Sequence, residues 1–296
     1  MSQQKNKKTT LIAVPVLAAA TVGVVAFAAT LPDSSQESRG PASAPQQAVA
    51  KATMGDPDDP ATWKLPIEAY LPTRAEHRLV SSSRDEVIDA CMADAGYPEW
   101  TPAPDLPALG GKTLTDWRYG IHDAAKAAER GYHPDAEEQK AYDAAMEEGA
   151  VDESGADEGS LRNCVTQADG TAPALPADDL AQQISGDAFR QAEQDPQVVA
   201  AFAQWSSCMK DKGYDYAKPM DANDDPQFND PSTVTDAEIA TAKADVACRD
   251  KYQIEKIWFN AEAKLQQTAI VQHEDELNRV ASGTKTIVAM AKAASQ

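Results

Sequence analysis

The heptapeptide Cys91-Met92-Ala93-Asp94-Ala95-Gly96-Tyr97 returns later in the chain as Cys208-Met209-Lys210-Asp211-Lys212-Gly213-Tyr214, identical at five of seven positions. Each copy has the form of a helix that stops at a glycine. The glycine takes the left-handed conformation that side chains avoid, and the residue after it folds back on an apolar residue one turn inside. Tyr97 and Tyr214 then meet Met92 and Met209. That mechanical role explains the motif without a ligand; a tyrosine presented for stacking is the sharper alternative.

Each copy is followed by one more cysteine, Cys164 after the first and Cys248 after the second. The simplest arrangement is a duplicated helical unit with bridges Cys91–Cys164 and Cys208–Cys248. Pairing swapped between the copies is the rival, since spacing alone does not choose among three connectivities. No Cys-x-x-Cys pair is present and no histidine stands at ligand spacing from a cysteine, which argues against structural zinc.

Around these motifs the helical signals dominate. Ser83 and Glu86 read as a capping box for a helix carrying Val87, Ile88, Cys91 and Met92. A second helix is expected from about Thr115 to Gly131-Tyr132, and a third over Asp135–Glu148, before a loop at Val151–Ser160. Asp195 followed by Pro196 opens another, with Val198, Val199, Phe202, Trp205 and Met209 at helical spacing. Thr235 and Glu238 form a further box, and no Pro or Gly interrupts Asp236 to Ala281. One long helix is expected there, with Ile239, Val246, Ile254, Ile257, Ala261 and Leu265 as an uneven stripe that needs a mate. Strand signals are almost absent. The expected fold is all-α, with a first unit at 61–180 and a second at 181–296.

Composition explains why such a fold needs staples. Of 296 residues, 55 are Ala, while Leu, Ile, Val and Phe together supply 46. The formal net charge is −20, from 27 basic and 47 acidic residues. Few bulky apolar residues under a high net charge make a thin core. The acidic balance also disfavours nucleic acid as a partner, because phosphate contacts require a concentrated basic face.

The N-terminus sets the expected compartment. Lys5, Lys7 and Lys8 precede an uncharged stretch from Thr9 to Leu31 that holds ten of the bulky apolar residues. This pattern describes a short cytoplasmic tail (1–8) and a signal peptide or signal anchor (9–31). Ala26-Phe27-Ala28 offers a cleavage site, while the length of the run favours retention. Either outcome places the remainder outside the cytoplasm, where disulfides persist. That remainder carries 24 basic and 47 acidic residues, a net of −23. Residues 32–60, rich in Pro, Ser, Gln, Ala and Asp, are expected to form a flexible spacer.

Candidate chemistry is sparse. His77, His122, His133 and His273 share no spacing, and no nucleophile elbow, zinc-protease or phosphate-loop motif occurs. No catalytic, cofactor or metal residue is assigned; the residues singled out are the structural cysteines Cys91, Cys164, Cys208 and Cys248. Asp221-x-Asn223-x-Asp225 copies the start of a calcium loop, but Pro226 and Ser232 replace its glycine and its bidentate glutamate. Trp205, Tyr214, Tyr216, Trp258 and Phe259 are expected to be the packing centre; a carbohydrate- or peptide-stacking groove is the alternative.

Arg118-Tyr119-Gly120-Ile121, Arg130-Gly131-Tyr132, the two glycine stops and Asp245-Val246-Ala247-Cys248 occur in one order. Over roughly residues 80–285 that order resembles a group of exported or membrane-anchored helical proteins of actinobacteria without an assigned function. This chain departs in having Asn163 before Cys164, where a Gly-rich turn is expected. The resemblance implies an envelope location, paired cysteines and proximity to efflux-type ABC transporter components. The expected function is a non-enzymatic binding protein of the cell envelope, acting on a protein partner or on itself through the C-terminal helix. An exported wall hydrolase with an Asp or Glu base is the alternative.

Overall fold

The computed structural model describes residues 50–149, 152 and 154–295. The expected tail, the export or anchor segment and the spacer up to residue 49 lie outside the described residues. Among the described residues the fold is all-helical, and no helix is long and apolar enough to cross a membrane. Ten α-helices follow two short 3₁₀ turns: α1 (Arg74–Asp94), α2 (Ala124–Arg130), α3 (Ala136–Gly149), α4 (Glu158–Thr171), α5 (Asp179–Ala192), α6 (Pro196–Asp211), α7 (Pro219–Asn223), α8 (Asp236–Tyr252), α9 (Ile254–Gln272) and α10 (Glu274–Ala294).

Both heptapeptides end their helices in the same way. Gly96 and Gly213 stand at φ +100° and +96°. Tyr97 N donates to Met92 O at 2.9 Å and Tyr214 N to Met209 O at 3.0 Å, while each glycine N–H bonds the carbonyl three residues before it. The last carbonyls of α1 and α6 are thereby satisfied within a six-residue loop. A Cβ at either glycine would meet nothing within 4 Å. The cost of Gly96→Ala or Gly213→Ala is therefore conformational alone, about 1–2 kcal/mol each. Urea unfolding of the single variants and the pair checks this, with the two losses expected to add.

Two disulfides join these stopped helices to later ones: Cys91 to Cys164 on α4, and Cys208 to Cys248 on α8. The swapped pairing is excluded. The first bridge lies in a satellite cluster with Ile88, Met92, Trp100 and Ala168; the second lies in the main core. That main core draws Trp63, Tyr119 and Tyr132 together with Trp205, Trp258 and Phe259. Residues 61–180 and 181–296 thus share one core. α2 packs on α8 and α1 on α10, so helices of both halves interleave.

Several boundaries differ from those the sequence suggests. α1 begins at Arg74 under a Thr73–Glu76 box: Thr73 Oγ1 accepts from Glu76 N at 3.2 Å and Glu76 Oε2 accepts from Thr73 N at 2.8 Å. Ser83 is mid-helix and buried. Between Thr115 and Tyr132 only α2 is an α-helix. Thr115 Oγ1 donates to Trp63 O at 2.8 Å and Gly120 takes φ +103°, which together hold residues 115–120 in turns. Asn163 lies inside α4, so no turn precedes Cys164. Part of the expected spacer is laid against the fold: Thr53 and Lys64 exchange backbone hydrogen bonds at 3.0 and 2.8 Å, and Pro60 is buried.

The long C-terminal helix is three helices. Gln253 adopts φ +54°, ψ +43°, and His273 departs from helical geometry at φ −121°, ψ +20°. Each piece has its own neighbours: α8 lies on α2, α6 and α7, α9 on α5 and α6, and α10 on α1. Val246 and Ile254 are fully buried, and Ile257, Ala261 and Leu265 pack against the same core. Apart from Ile239, which is only half-buried, the stripe finds its mate within the chain, so those positions need no outside partner to cover them.

Candidate functional site

The thin core is crossed by charge. Asp245 and Arg249, one helical turn apart on α8, are both fully buried, with Arg249 Nε 2.6 Å from Asp245 Oδ1. Trp205 Nε1 donates to Asp245 Oδ1 at 2.8 Å and Tyr132 OH to Asp245 Oδ2 at 3.2 Å. Arg249 Nη1 reaches across to donate to Tyr119 O. That approach requires Gly120, because a Cβ there would stand 2.6 Å from the guanidinium nitrogens. On the same side Glu238 accepts from Tyr132 N at 2.8 Å, over Gly131. Thr235 Oγ1 does cap α8 through Glu238 N at 3.1 Å, but the Glu238 carboxylate turns inward instead of closing the expected box.

A second knot centres on Glu262 of α9, also fully buried. Arg118 Nε donates to both of its oxygens at 3.0 Å, and Nη2 to Oε1 at 2.7 Å. Tyr119 OH donates to Oε2 at 2.8 Å and Gln266 Nε2 to Oε1 at 2.7 Å. Gln266 then accepts from Ile67 N at 3.1 Å, tying the N-terminal segment to α9. Burial, and the neighbouring Glu262 charge, push the Tyr119 phenol well above its ordinary range. Tyr119 therefore stays a donor. The motifs Arg118-Tyr119-Gly120, Gly131-Tyr132 and Asp245 form one continuous internal frame. Buried charges persist only when so paired.

Arg118 borders a shallow cavity with Ser185 and Phe189, and a deeper cleft lies beside Arg249 at the other end of the frame. Pro57, Asp58, Pro60, Trp63, His122, Asp250, Gln253, Glu255 and Lys256 line this cleft of about 360 Å³ where the N-terminal segment meets the α8–α9 junction. Gln253, at its edge, is the sole non-glycine residue with positive φ among the described residues. Strained backbone beside a cleft is a feature of functional sites. Lys256 Nζ pairs with Asp58 Oδ1 at 2.9 Å, and His122 Nε2 lies 2.8 Å from Asp116 Oδ1.

Glu255 is the unusual member. Its side chain is 9% exposed, and Oε1 has no hydrogen-bond partner. The nearest cation, Arg249 Nη1, is 3.7 Å away and already committed to Tyr119 O. Burial pushes the Glu255 carboxyl above its usual range, against the pull of Arg249 and of the residue's own backbone N–H. The cleft walls partly desolvate Asp250 as well, which raises its carboxyl although the residue as a whole stays exposed.

The remaining candidates have local duties. Asp221 accepts from Lys218 N at 2.9 Å, Asp225 from Tyr216 OH at 2.7 Å, and Asn223 donates to Asp224 at 2.8 Å. The calcium-like sequence is thus spent on turns. Trp205, Trp258 and Phe259 are buried; Tyr214 and Tyr216 are half-buried against them. Trp258 stacks on Phe189 at 4.7 Å and meets Phe202 edge-on at 5.0 Å, the arrangement of a packing centre. The sequence marks Glu238 only as part of a capping box and Asp245 only as part of an ordered motif, and it marks Glu255 and Glu262 not at all; the buried roles of all four acids are missed. Their signal is position: each falls on the buried side of its helix, as at Ile254, Trp258, Glu262 and Gln266, four residues apart.

No family model matches the chain, and no curated protein or solved structure is detectably similar to it.

Proposed function

We propose that this chain is a non-enzymatic binding protein of the bacterial cell envelope, held outside the cytoplasm by its N-terminal segment, and that the cleft at the α8–α9 junction is its binding seat. Two disulfides fit an oxidising compartment. The observation that carries the reading is Glu255, a nine-tenths buried carboxylate lining an open cleft with one oxygen unmatched. Leaving such a group unsatisfied costs about 1–3 kcal/mol, and a cationic donor in the cleft offsets part of that cost through the charge of the carboxylate. Among the described residues no Ser, Thr or Cys lines the cleft, so His122 meets no hydroxyl or thiol on its wall. The resemblance supplies the partner's class, a component of an ABC-type efflux transporter.

A photo-activatable residue at Asp58, on the exposed rim, is expected to cross-link the partner on intact cells. The same residue at Val199, exposed but outside the cleft, is expected not to. Equal capture from both positions would remove the cleft from the account. The wall-hydrolase reading has one observation in its favour, two carboxylates raised by burial in a single cleft. Release of products from wall glycans or peptides that is abolished by Glu255→Gln would place that reading first.

A further inference from the structure

The cleft's chemistry narrows what it takes. Of its three carboxylates, Asp58 is answered by Lys256 at 2.9 Å. Asp250 is exposed and makes no ion pair among the described residues. Glu255 Oε1 accepts no hydrogen bond. The Arg249 charge behind it is shared with Asp245, so a single guanidinium faces two buried carboxylates. Lys256 and His122 are the basic side chains of the cleft and both act on Asp250, but with Asp58 and Glu255 beside it the acids are in excess, and an excess of that kind favours a counter-ion.

The form of that cation follows from the acceptors. With one oxygen enclosed beside Arg249, the Glu255 carboxyl has only the other to offer a ligand, which suits a single N–H donor; a guanidinium fork needs both oxygens of a carboxylate side by side. Among the described residues no three His, Cys, Asp or Glu side chains stand close enough to share a metal ion. Glu255 Oε1 is walled off from solvent beside Arg249, and turning the carboxyl over merely exchanges its two equivalent oxygens, so a ligand in the cleft meets whichever oxygen lies on the cleft side. Pro57 and Pro60 supply apolar wall for a short alkyl stem.

We propose that the cleft binds a primary ammonium group on an alkyl stem, with Glu255 accepting its hydrogen bond and Asp250 supplying the second charge. This rests on the cleft being the binding seat. The group could be carried by a free small amine or by a lysine-type side chain of a larger partner; the chemistry is the same.

The test is calorimetric titration of the purified full chain in detergent at low salt. The probes are n-butylammonium, Nα-acetyl-lysinamide, 1-butanol and Ca²⁺. At least one amine is expected to bind about tenfold or more tightly than 1-butanol, with Glu255→Gln losing about tenfold or more. Asp250→Asn, at an exposed position, is expected to lose a few-fold while melting like the parent. It serves as the second variant should Glu255→Gln fail to fold. Binding of n-butylammonium alone assigns a free amine, and binding of the lysinamide assigns a side chain. Equal binding of 1-butanol, an unchanged affinity in both variants, or binding of Ca²⁺ in place of the amines would overturn the proposal. Silence from both amines while the Asp58 cross-link persists overturns the ammonium assignment alone. Loss of both overturns the binding seat as well.

Discussion

Arg249→Met is expected to lower the unfolding free energy by about 3–5 kcal/mol, the usual penalty for breaking a buried ion pair from one side. Arg249 is fully buried, and its removal strands Asp245 and Glu255 with no cation behind them. It also takes the donor from Tyr119 O and leaves room opposite Gly120. The methionine keeps much of the apolar stem, so lost volume is the smaller part. Urea unfolding followed by tryptophan fluorescence measures the change. A loss below about 1 kcal/mol would mean that the frame does not carry the fold. Domains of ordinary stability span about 5–15 kcal/mol, so at the low end of that range the expected loss leaves little in reserve.

Replacing both Cys208 and Cys248 with Ser is expected to cost about 4 kcal/mol. The sequence separation is 40 residues, and the chain-entropy model gives that order for a loop of this size. The first bridge spans 73 residues and by the same model is worth about 0.5 kcal/mol more. Loop length alone would rank it first; burial reverses the expected consequence. Cys208 and Cys248 are both buried in the main core between α6 and α8, beside Trp205 and Val246. The Cys91–Cys164 bridge fastens the satellite cluster of α1 and α4. Loss of the second bridge is therefore expected to shift the global unfolding transition. Loss of the first is expected to appear chiefly as faster hydrogen exchange in α4. Equal global shifts for the two pairs would show that the satellite cluster unfolds with the core.

What the sequence discloses follows a physical rule. Elements set by local chemistry are legible. Asp195 with Pro196 starts α6, with Asp195 Oδ1 accepting from Gln197 N at 2.8 Å. The two glycine stops and the repeat that orders the cysteines are equally local. Elements set by distant contacts are not. Gln253 breaks the C-terminal helix with a conformation that costs a side-chain-bearing residue about 1–2 kcal/mol. No turn former marks the place. The break is maintained from outside, by burial of Ile254 and Trp258 in the core beyond it.

The internal acids are hidden for a related reason. A chain with 47 acidic residues makes any single Glu look like solvated surface. Glu262 becomes exceptional only because Arg118 and Tyr119, more than a hundred residues earlier, fold onto it. The ordered motifs marked one side of these contacts and gave no hint of the other. Likewise Ser83–Glu86 satisfies a capping pattern that Thr73–Glu76 actually fills, because a box operates only where the chain enters the helix.

The most direct measurement follows the Glu255 side-chain carboxyl carbon by NMR as pH is varied, without and with n-butylammonium. The account predicts titration above the ordinary glutamate range in the free protein and a downward move when the amine is present. A carboxyl that titrates like one in water, unmoved by the amine, would contradict it.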